Sequence, residues 1–243
     1  SRGRVHAIRK ASTVRIATWN VNSLNARIEK VWWWLERAQP DVLLMQETKL
    51  ADAAAPLEEF AKRGYTLTHH GEGRWNGVAI ASRSECTDVV TNFGEPLAAA
   101  GTPEVPDDEP LNEARMIAGS VGGVRVVSVY APRGRSVESV FYRKKLAWYE
   151  RLSRWLREAC EPGQLLLIGG DYNIAPTDAD VWDAAACHGG THVSPQEREA
   201  FAQLQRWGLV DAYRSKHPEA ARFSWWDYRA GCFQKNYGMR IDH

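Results

Sequence analysis

Leu165-Leu166-Leu167-Ile168-Gly169-Gly170-Asp171-Tyr172-Asn173 sets four aliphatic residues ahead of two glycines, then a carboxylate and an amide with one residue between them. A short unbroken apolar run bounded by turn residues predicts a fully buried strand. Glycine lets a neighbouring group come close to the backbone. Side chains two apart on an extended chain face the same way. The strand is therefore expected to deliver Asp171 and Asn173 together to one side of a cleft.

Upstream, the same arrangement recurs. Val14 to Asn20 alternates as a strand does and ends in Trp19-Asn20-Val21-Asn22, where Asn20 and Asn22 are again two apart. Ile28, Val31, Trp32 and Leu35 have the spacing of an amphipathic helix, which Gln39-Pro40 stops. Val42-Leu43-Leu44-Met45 reads as a second buried strand and runs into Gln46-Glu47-Thr48-Lys49. A half-buried glutamate must be paired, protonated or bound to metal. Glu47 thus has two readings, an ion pair with Lys49 or an arginine, and a metal ligand.

Residues 54–63 predict a helix, and strands are expected at Tyr65–His69 and Val78–Ser82, with His69 and His70 as surface residues at a turn. Residues 94–114 read as a long loop rich in Pro, Gly, Ala and acid. Met116–Ser120 and Val124–Val129 predict a hairpin around Gly122-Gly123, ending in Tyr130-Ala131-Pro132-Arg133. Tyr142, Leu146, Tyr149, Leu152 and Leu156 mark the apolar face of a long helix over 139–160. Ser194-Pro195-Gln196-Glu197 is a capping box with proline at the first position, and Gly208 is the stop. His188 and His192 flank Gly189-Gly190 without a carboxylate or cysteine at matching spacing, so neither is taken as a metal ligand.

Length and composition bound the answer. The 243 residues suffice for one large α/β domain, and no repeat or linker divides them. The expected organisation is a flexible basic extension over 1–13 and a single domain over 14–243. Net charge is only +1, so there is no global electrostatic attraction to nucleic acid. Its distribution still allows a basic face, because acids concentrate at 104–113 while Arg133, Arg135, Arg143, Lys144, Lys145, Arg229, Lys235 and Arg240 lie elsewhere. Eleven tryptophans exceed what a core needs and offer surfaces for stacking. The four cysteines show no CxxC spacing, which argues against a zinc site or disulfide framework and for reduced thiols in a cytoplasmic protein. No apolar run approaches the length of a membrane span, and the basic start lacks the hydrophobic core of a secretory signal.

Asn20, Glu47, Asp171, Asn173 and Asp242 thus form a set of oxygen donors at strand ends. Hard donors with few carboxylates suit Mg²⁺ or Mn²⁺, and such ions usually act on phosphate. The reaction class suggested is attack of water on a phosphate ester. A carboxylate takes the proton, and amide or phenol donors hold the developing charge. Such hydrolysis is very slow uncatalysed, so a site must lower the barrier by roughly 20 kcal/mol. The same spacing also fits an α/β binding domain whose strand-end groups only cap helices and turns.

Trp19-Asn20-Val21-Asn22, Gln46-Glu47-Thr48-Lys49, Tyr130-Ala131-Pro132, Gly170-Asp171-Tyr172-Asn173, and Trp226-Asp227-Tyr228-Arg229 through Arg240-Ile241-Asp242 stand in one order. From Val14 onward the chain resembles the exonuclease III branch of the endonuclease/exonuclease/phosphatase superfamily, the AP endonucleases of base excision repair. The resemblance implies a four-layer α/β sandwich of two mixed sheets flanked by helices, the DNase I-like fold. It implies cleavage of duplex DNA 5′ to abasic sites, 3′→5′ exonuclease activity and removal of 3′ blocks, with Mg²⁺ or Mn²⁺, by a bacterial cytoplasmic protein expected to be monomeric. By the same resemblance Glu47 is the principal metal ligand with Asn20 beside it. Asp171 activates water or protonates the leaving group and also borders the metal. Asn173 holds the scissile phosphate or attacking water beside the metal, and Tyr130 is a phosphate-side donor. Asp242 pairs with a histidine. Trp225, Met239 and Ile241 wall the pocket of the flipped-out sugar, whose extrusion is cheap because no base is unstacked. Asn236 touches a phosphate.

Two departures stand out. Arg133 replaces the asparagine usual after Tyr130-Ala131-Pro132, and an arginine binds phosphate bidentately. The family's last strand, with its Ser-Asp-His motif, does not follow Asp242. His243 cannot supply that histidine, since adjacent residues on a strand face opposite sides. The expectation is a chain trimmed at its C-terminus. Besides the repair nuclease, two functions therefore stay open: a phosphodiesterase of the same fold acting on a non-DNA ester, and a catalytically impaired DNA-binding protein.

Overall fold

The computed structural model describes residues 13–97, 106, 109, 112–219 and 221–243. The expected basic extension, apart from Thr13, and most of the acid-rich stretch lie outside these. The first half builds one sheet and its cover: β1 (Ile16–Asn20), α1 (Leu24–Ala38), β2 (Val42–Gln46), α2 (Leu57–Ala61), β3 (Thr66–His70) and β4 (Val78–Ser82). Strand order is β1-β2-β4-β3; β1 and β2 are parallel, and the remaining pairs are antiparallel. A second sheet follows from β5 (Thr87–Thr91), β6 (Met116–Val121), β7 (Val124–Tyr130), α3 (Val140–Ala159) and β8 (Leu166–Asp171), in the order β5-β6-β7-β8. Here the parallel pair is β7 with β8. The chain closes with α4 (Ala184–Cys187), α5 (Pro195–Trp207), α6 (Ala212–Lys216), β9 (Trp225–Trp226), α7 (Cys232–Lys235) and β10 (Gly238–Met239), the last pairing with β9.

Strand alternation makes the layers. Val42 and Leu44 face the second sheet and meet Ile117, Val121 and Val126, while Leu43 and Met45, one residue out of phase, meet Val31, Trp32 and Leu35 of α1. On the other side Trp148, Tyr149, Leu152 and Leu156 of α3, with Phe201 and Leu204 of α5, cover Met116, Ala118, Val127 and Val129. Helix, sheet, sheet and helix are thus four layers, as expected. Each fully buried aliphatic side chain contributes about 1.5–3 kcal/mol by leaving water. The capping box at Ser194 and Glu197 forms, and the helix stops at Gly208 as expected.

Several expectations are corrected. The run Leu165-Leu166-Leu167-Ile168 is no fully buried strand: Leu165 is 71 % exposed and Leu166 to Ile168 are half-buried. The reason is position. β8 lies at its sheet's edge, and among the described residues its outer side is paired only at its end, where Gly170 and His243 exchange backbone hydrogen bonds at 2.8 and 2.9 Å. His70 extends β3 by one residue, and neither histidine is a surface residue: His70 is buried, and the His69 side chain is 2 % exposed, held by Thr48 and Asp52. The helix expected over 54–63 is a 3₁₀ turn at Asp52–Ala54 followed by the short α2, with Pro56 between them. Lys145, assigned to a basic face, is completely buried.

The glycine reading is upheld. A Cβ on Gly170 would lie 1.9 Å from the Val129 carbonyl oxygen of β7. The parallel edge pairs of the two sheets face one another, with β1 against β8. Their C-terminal ends, at Asn20, Gln46, Tyr130 and Asp171, open on the same side of the sandwich.

Candidate active site

Two strands end in the same small turn. The backbone N–H of Asn22 donates to Asn20 Oδ1 at 3.0 Å, and that of Asn173 donates to Asp171 Oδ1 at 2.9 Å. Asn22 and Asn173 take left-handed conformations, φ 42° and 51°, which asparagine tolerates better than most residues. The paired polar groups therefore converge through a turn, whereas the spacing suggested a continuing extended strand. Glu47, just past β2, is also left-handed at φ 52°, and its loop is pinned by backbone hydrogen bonds from Ser23 N to Glu47 O and from Thr48 N to Gly77 O. Behind it the Thr48 hydroxyl meets His69 Nε2 at 2.8 Å, and His69 Nδ1 meets Asp52 at 2.7 Å.

These turns bring the strand ends together. Asn20 Nδ2 donates to Glu47 Oε1 at 2.9 Å and to Asp171 Oδ2 at 3.0 Å. Lys49 Nζ lies 3.0 Å from Glu47 Oε2 and 2.6 Å from Asn22 Oδ1, so the ion-pair reading of Glu47 holds and leaves its other oxygen to Asn20. Asp242 stands opposite Asp171 in an antiparallel bridge, and Ser224 Oγ receives its backbone N–H. A cleft of about 1160 Å³ is lined by Asn20, Glu47, Tyr130, Arg133, Asp171, Asn173, Trp225, Ile241 and Asp242. The Arg133 guanidinium lies 5.5 Å from the Trp225 ring centre.

Two predicted contacts fall outside that lining. Asn236 accepts a hydrogen bond from Trp226 Nε1 at 3.2 Å, which ties down the β9–β10 hairpin. Met239 packs behind the wall with Ala175, Val181 and Ile241. His243 turns away from the cleft, as adjacent strand residues must. Its Nε2 donates to the Ile174 carbonyl, and its Nδ1 accepts from Arg240.

Two lining features had no clear sequence signal, and a third lies at the quoted Trp226-Asp227-Tyr228-Arg229 motif. His192, buried at φ 80°, donates from Nδ1 to the Asn173 carbonyl at 2.6 Å. Ser224 links Asp242 to Ile241 by receiving both backbone N–H groups. Tyr228 and Phe233, 86 % and 67 % exposed, form an aromatic rim with Arg229.

The electrostatics follow from burial. The Asp171 carboxyl is held well above the usual carboxylate range, first by burial and then by Asp242. Burial and Glu47 push Asp242 up to about 6. Burial, then Glu47, also raise the Tyr130 phenol, which stays a protonated donor. Clustered carboxylates facing one cleft fit a hard cation, as does an all-oxygen donor set. Among the described residues no three His, Cys, Asp or Glu side chains close into a cage.

The model of the Endonuclease/Exonuclease/phosphatase family matches residues 17–243. Exodeoxyribonuclease III of Haemophilus influenzae is 31% identical over 245 residues, covering 95% of this chain and 86% of that one. Among solved structures, the 3′ phosphatase NExo from Neisseria bound to product DNA hairpin is 37% identical with a TM-score of 0.84, covering 95% of this chain and 85% of that one. An AP endonuclease from Archaeoglobus fulgidus is 33% identical with a TM-score of 0.85, with the same coverage. The chain therefore belongs to the endonuclease/exonuclease/phosphatase family and is a metal-dependent DNA repair nuclease of that family.

Proposed function

We propose that this cleft hydrolyses phosphate esters of duplex DNA, both 5′ to abasic sites and at 3′ ends, with Mg²⁺ or Mn²⁺. The observation that carries the reading is the Asn20 amide bridging Glu47 and Asp171 at 2.9 and 3.0 Å in a cleft that also holds Tyr130 and Asn173. The exonuclease and AP endonuclease relatives favour both reactions, and the Neisseria 3′ phosphatase favours the 3′ end.

Glu47 would hold the cation, with Asn20 beside it orienting the carboxylates through its Nδ2 and Asp171 and Asn173 bordering it. A bound cation neutralises phosphoryl charge and favours the ionised form of nearby carboxylates. Asp171, ionised, accepts the proton of the attacking water. The Asn173 amide and the Tyr130 phenol donate to phosphoryl oxygens as charge develops. Asp242, held by Ser224, keeps a second carboxyl beside Asp171. Trp225 and Ile241 give the sugar an apolar wall that a paired nucleotide cannot reach, and Arg133 holds a flanking phosphate. We place the protein in the bacterial cytoplasm as a monomer. No helix among the described residues is long and apolar enough to cross a membrane.

The test uses labelled duplexes with an abasic site, a 3′-phosphate or a recessed 3′-hydroxyl, each with Mg²⁺, Mn²⁺ or EDTA. Metal-dependent cutting of the abasic duplex and release from 3′ ends are expected. A protein that retards but does not cut any duplex would overturn the reading in favour of a DNA-binding role. Turnover of a small phosphodiester without DNA binding would overturn it in favour of a non-DNA ester.

A further inference from the structure

Lys145 and Glu197 form an ion pair in which both side chains are 0 % exposed, outside the cleft and outside every role given above. Burying two charges costs several kcal/mol each, and apolar residues of similar size often replace such a pair without loss of stability. The geometry offers a reason for keeping it. Lys145 Nζ, besides meeting Glu197, donates to the backbone carbonyl of Asn173 at 2.7 Å. The same carbonyl receives His192 Nδ1 at 2.6 Å. Glu197 in turn accepts from the backbone N–H groups of His192 and Ser194 and from the hydroxyls of Thr191 and Ser194. One carboxylate therefore fixes both the ammonium and the loop that carries His192.

The consequence falls on Asn173. Its left-handed backbone is a conformation a non-glycine residue holds only when its surroundings impose it. Its N–H is taken by Asp171 Oδ1, its side-chain Nδ2 by the Ala131 carbonyl at 2.9 Å, and its carbonyl by Lys145 and His192. Fixing the peptide planes on both sides of a residue fixes the direction of its Cα–Cβ bond. We infer that Lys145, anchored by Glu197, is a positioning residue: it clamps the Asn173 carbonyl so that the Asn173 amide meets the phosphate in reacting geometry. This rests on the role given to Asn173 under Proposed function.

A double-mutant cycle on the duplex cut fastest in the substrate test distinguishes the two claims. Lys145→Met is expected to lower kcat about 10- to 100-fold, the loss that a misplacement of about 1 Å causes. KM is expected to stay within about twofold, since Asn173 acts as charge develops. Asn173→Ala should be slow, and Asn173→Ala/Lys145→Met no slower than Asn173→Ala. If Asn173→Ala cuts normally, the role of Asn173 fails whatever Lys145 does. If Asn173→Ala is slow but the two losses multiply, or Lys145→Met keeps normal kcat, the positioning role is overturned and the pair is merely structural. Should Lys145→Met not fold, Lys145→Gln replaces it in the same cycle with the same deciding outcomes.

Discussion

Asn20 and Asp171, 151 residues apart in sequence, are joined by a 3.0 Å hydrogen bond across the gap between the two sheets. The same amide reaches Glu47 at 2.9 Å, so the carboxylate proposed as base and the carboxylate proposed as metal ligand share one neutral donor. Asn20→Ala removes that link but neither charge. Metal affinity should weaken about 10- to 100-fold, the effect of losing a ligand's orienting partner. Calorimetric Mn²⁺ titration of the protein alone reads this directly. Unchanged affinity would exclude Asn20 from the metal site.

Asp171→Asn keeps the shape of the cleft and the hydrogen bond from the Asn173 N–H, but no longer accepts a proton from water. Single-turnover cutting should fall by about 10²- to 10⁴-fold, the range for a general base. DNA affinity should be retained or rise, because one buried negative charge is gone. Normal cutting by this variant would remove Asp171 from the chemistry.

Gly170 has no room for any side chain, since a Cβ would stand 1.9 Å from the Val129 carbonyl oxygen. Gly170→Ala must push β8 off β7, which lies beside it in register from Arg125 to Tyr130. A loss of about 3 kcal/mol or more in unfolding free energy is expected, at the upper end of overpacking effects. The denaturation midpoint checks it, and a loss below about 1 kcal/mol would mean that the sheet yields easily.

These sites also show what the sequence made legible. The buried strand before Glu47 and the amphipathic stripe Val31-Trp32-Leu35 were readable because period and burial agree there. The convergence of Asn20, Glu47, Tyr130 and Asp171 was readable only as a list of strand ends. Which ends meet depends on sheet order, a long-range property that no local spacing carries. Local sequence places Lys145 in a solvated cluster because Arg143 and Lys144 adjoin it. A signal was present: Lys145 follows Tyr142 by three residues and precedes Tyr149 by four, which puts it on the buried face of α3. The turns at Asn22 and Asn173 carry no distinct local signal, because an asparagine two residues past a polar strand end fits both an extended chain and a side-chain-capped turn.

Arg133 is exposed at the cleft mouth beside Trp225. If it binds a DNA phosphate, Arg133→Ala should weaken binding similarly on all duplexes and lower the slope of log K against log salt by about 1. Fluorescence anisotropy at several salt concentrations measures both. An unchanged slope would leave Arg133 as support for Trp225 only.

The His243 side chain, 7 % exposed, packs against Tyr172 and Phe201, with its Nδ1 accepting from Arg240. A protonated ring could not accept that bond and would face the guanidinium, so burial and Arg240 push it down to about 4. In the unfolded chain the same ring titrates near 6.5. Between these values the unfolded state binds the extra proton, so stability contributed by the neutral ring is complete above about pH 6.5 and is lost as pH falls toward 4. The full loss is about 3 kcal/mol. Asp171 and Asp242, both raised, act with the opposite sign, gaining stability as pH falls through part of the same window. The pH profile of the intact protein therefore mixes both, and comparison with His243→Gln isolates the histidine. The stability of the intact protein relative to this variant should drop between pH 6.5 and 4. A constant difference across that range would show that the ring does not stay neutral in the fold.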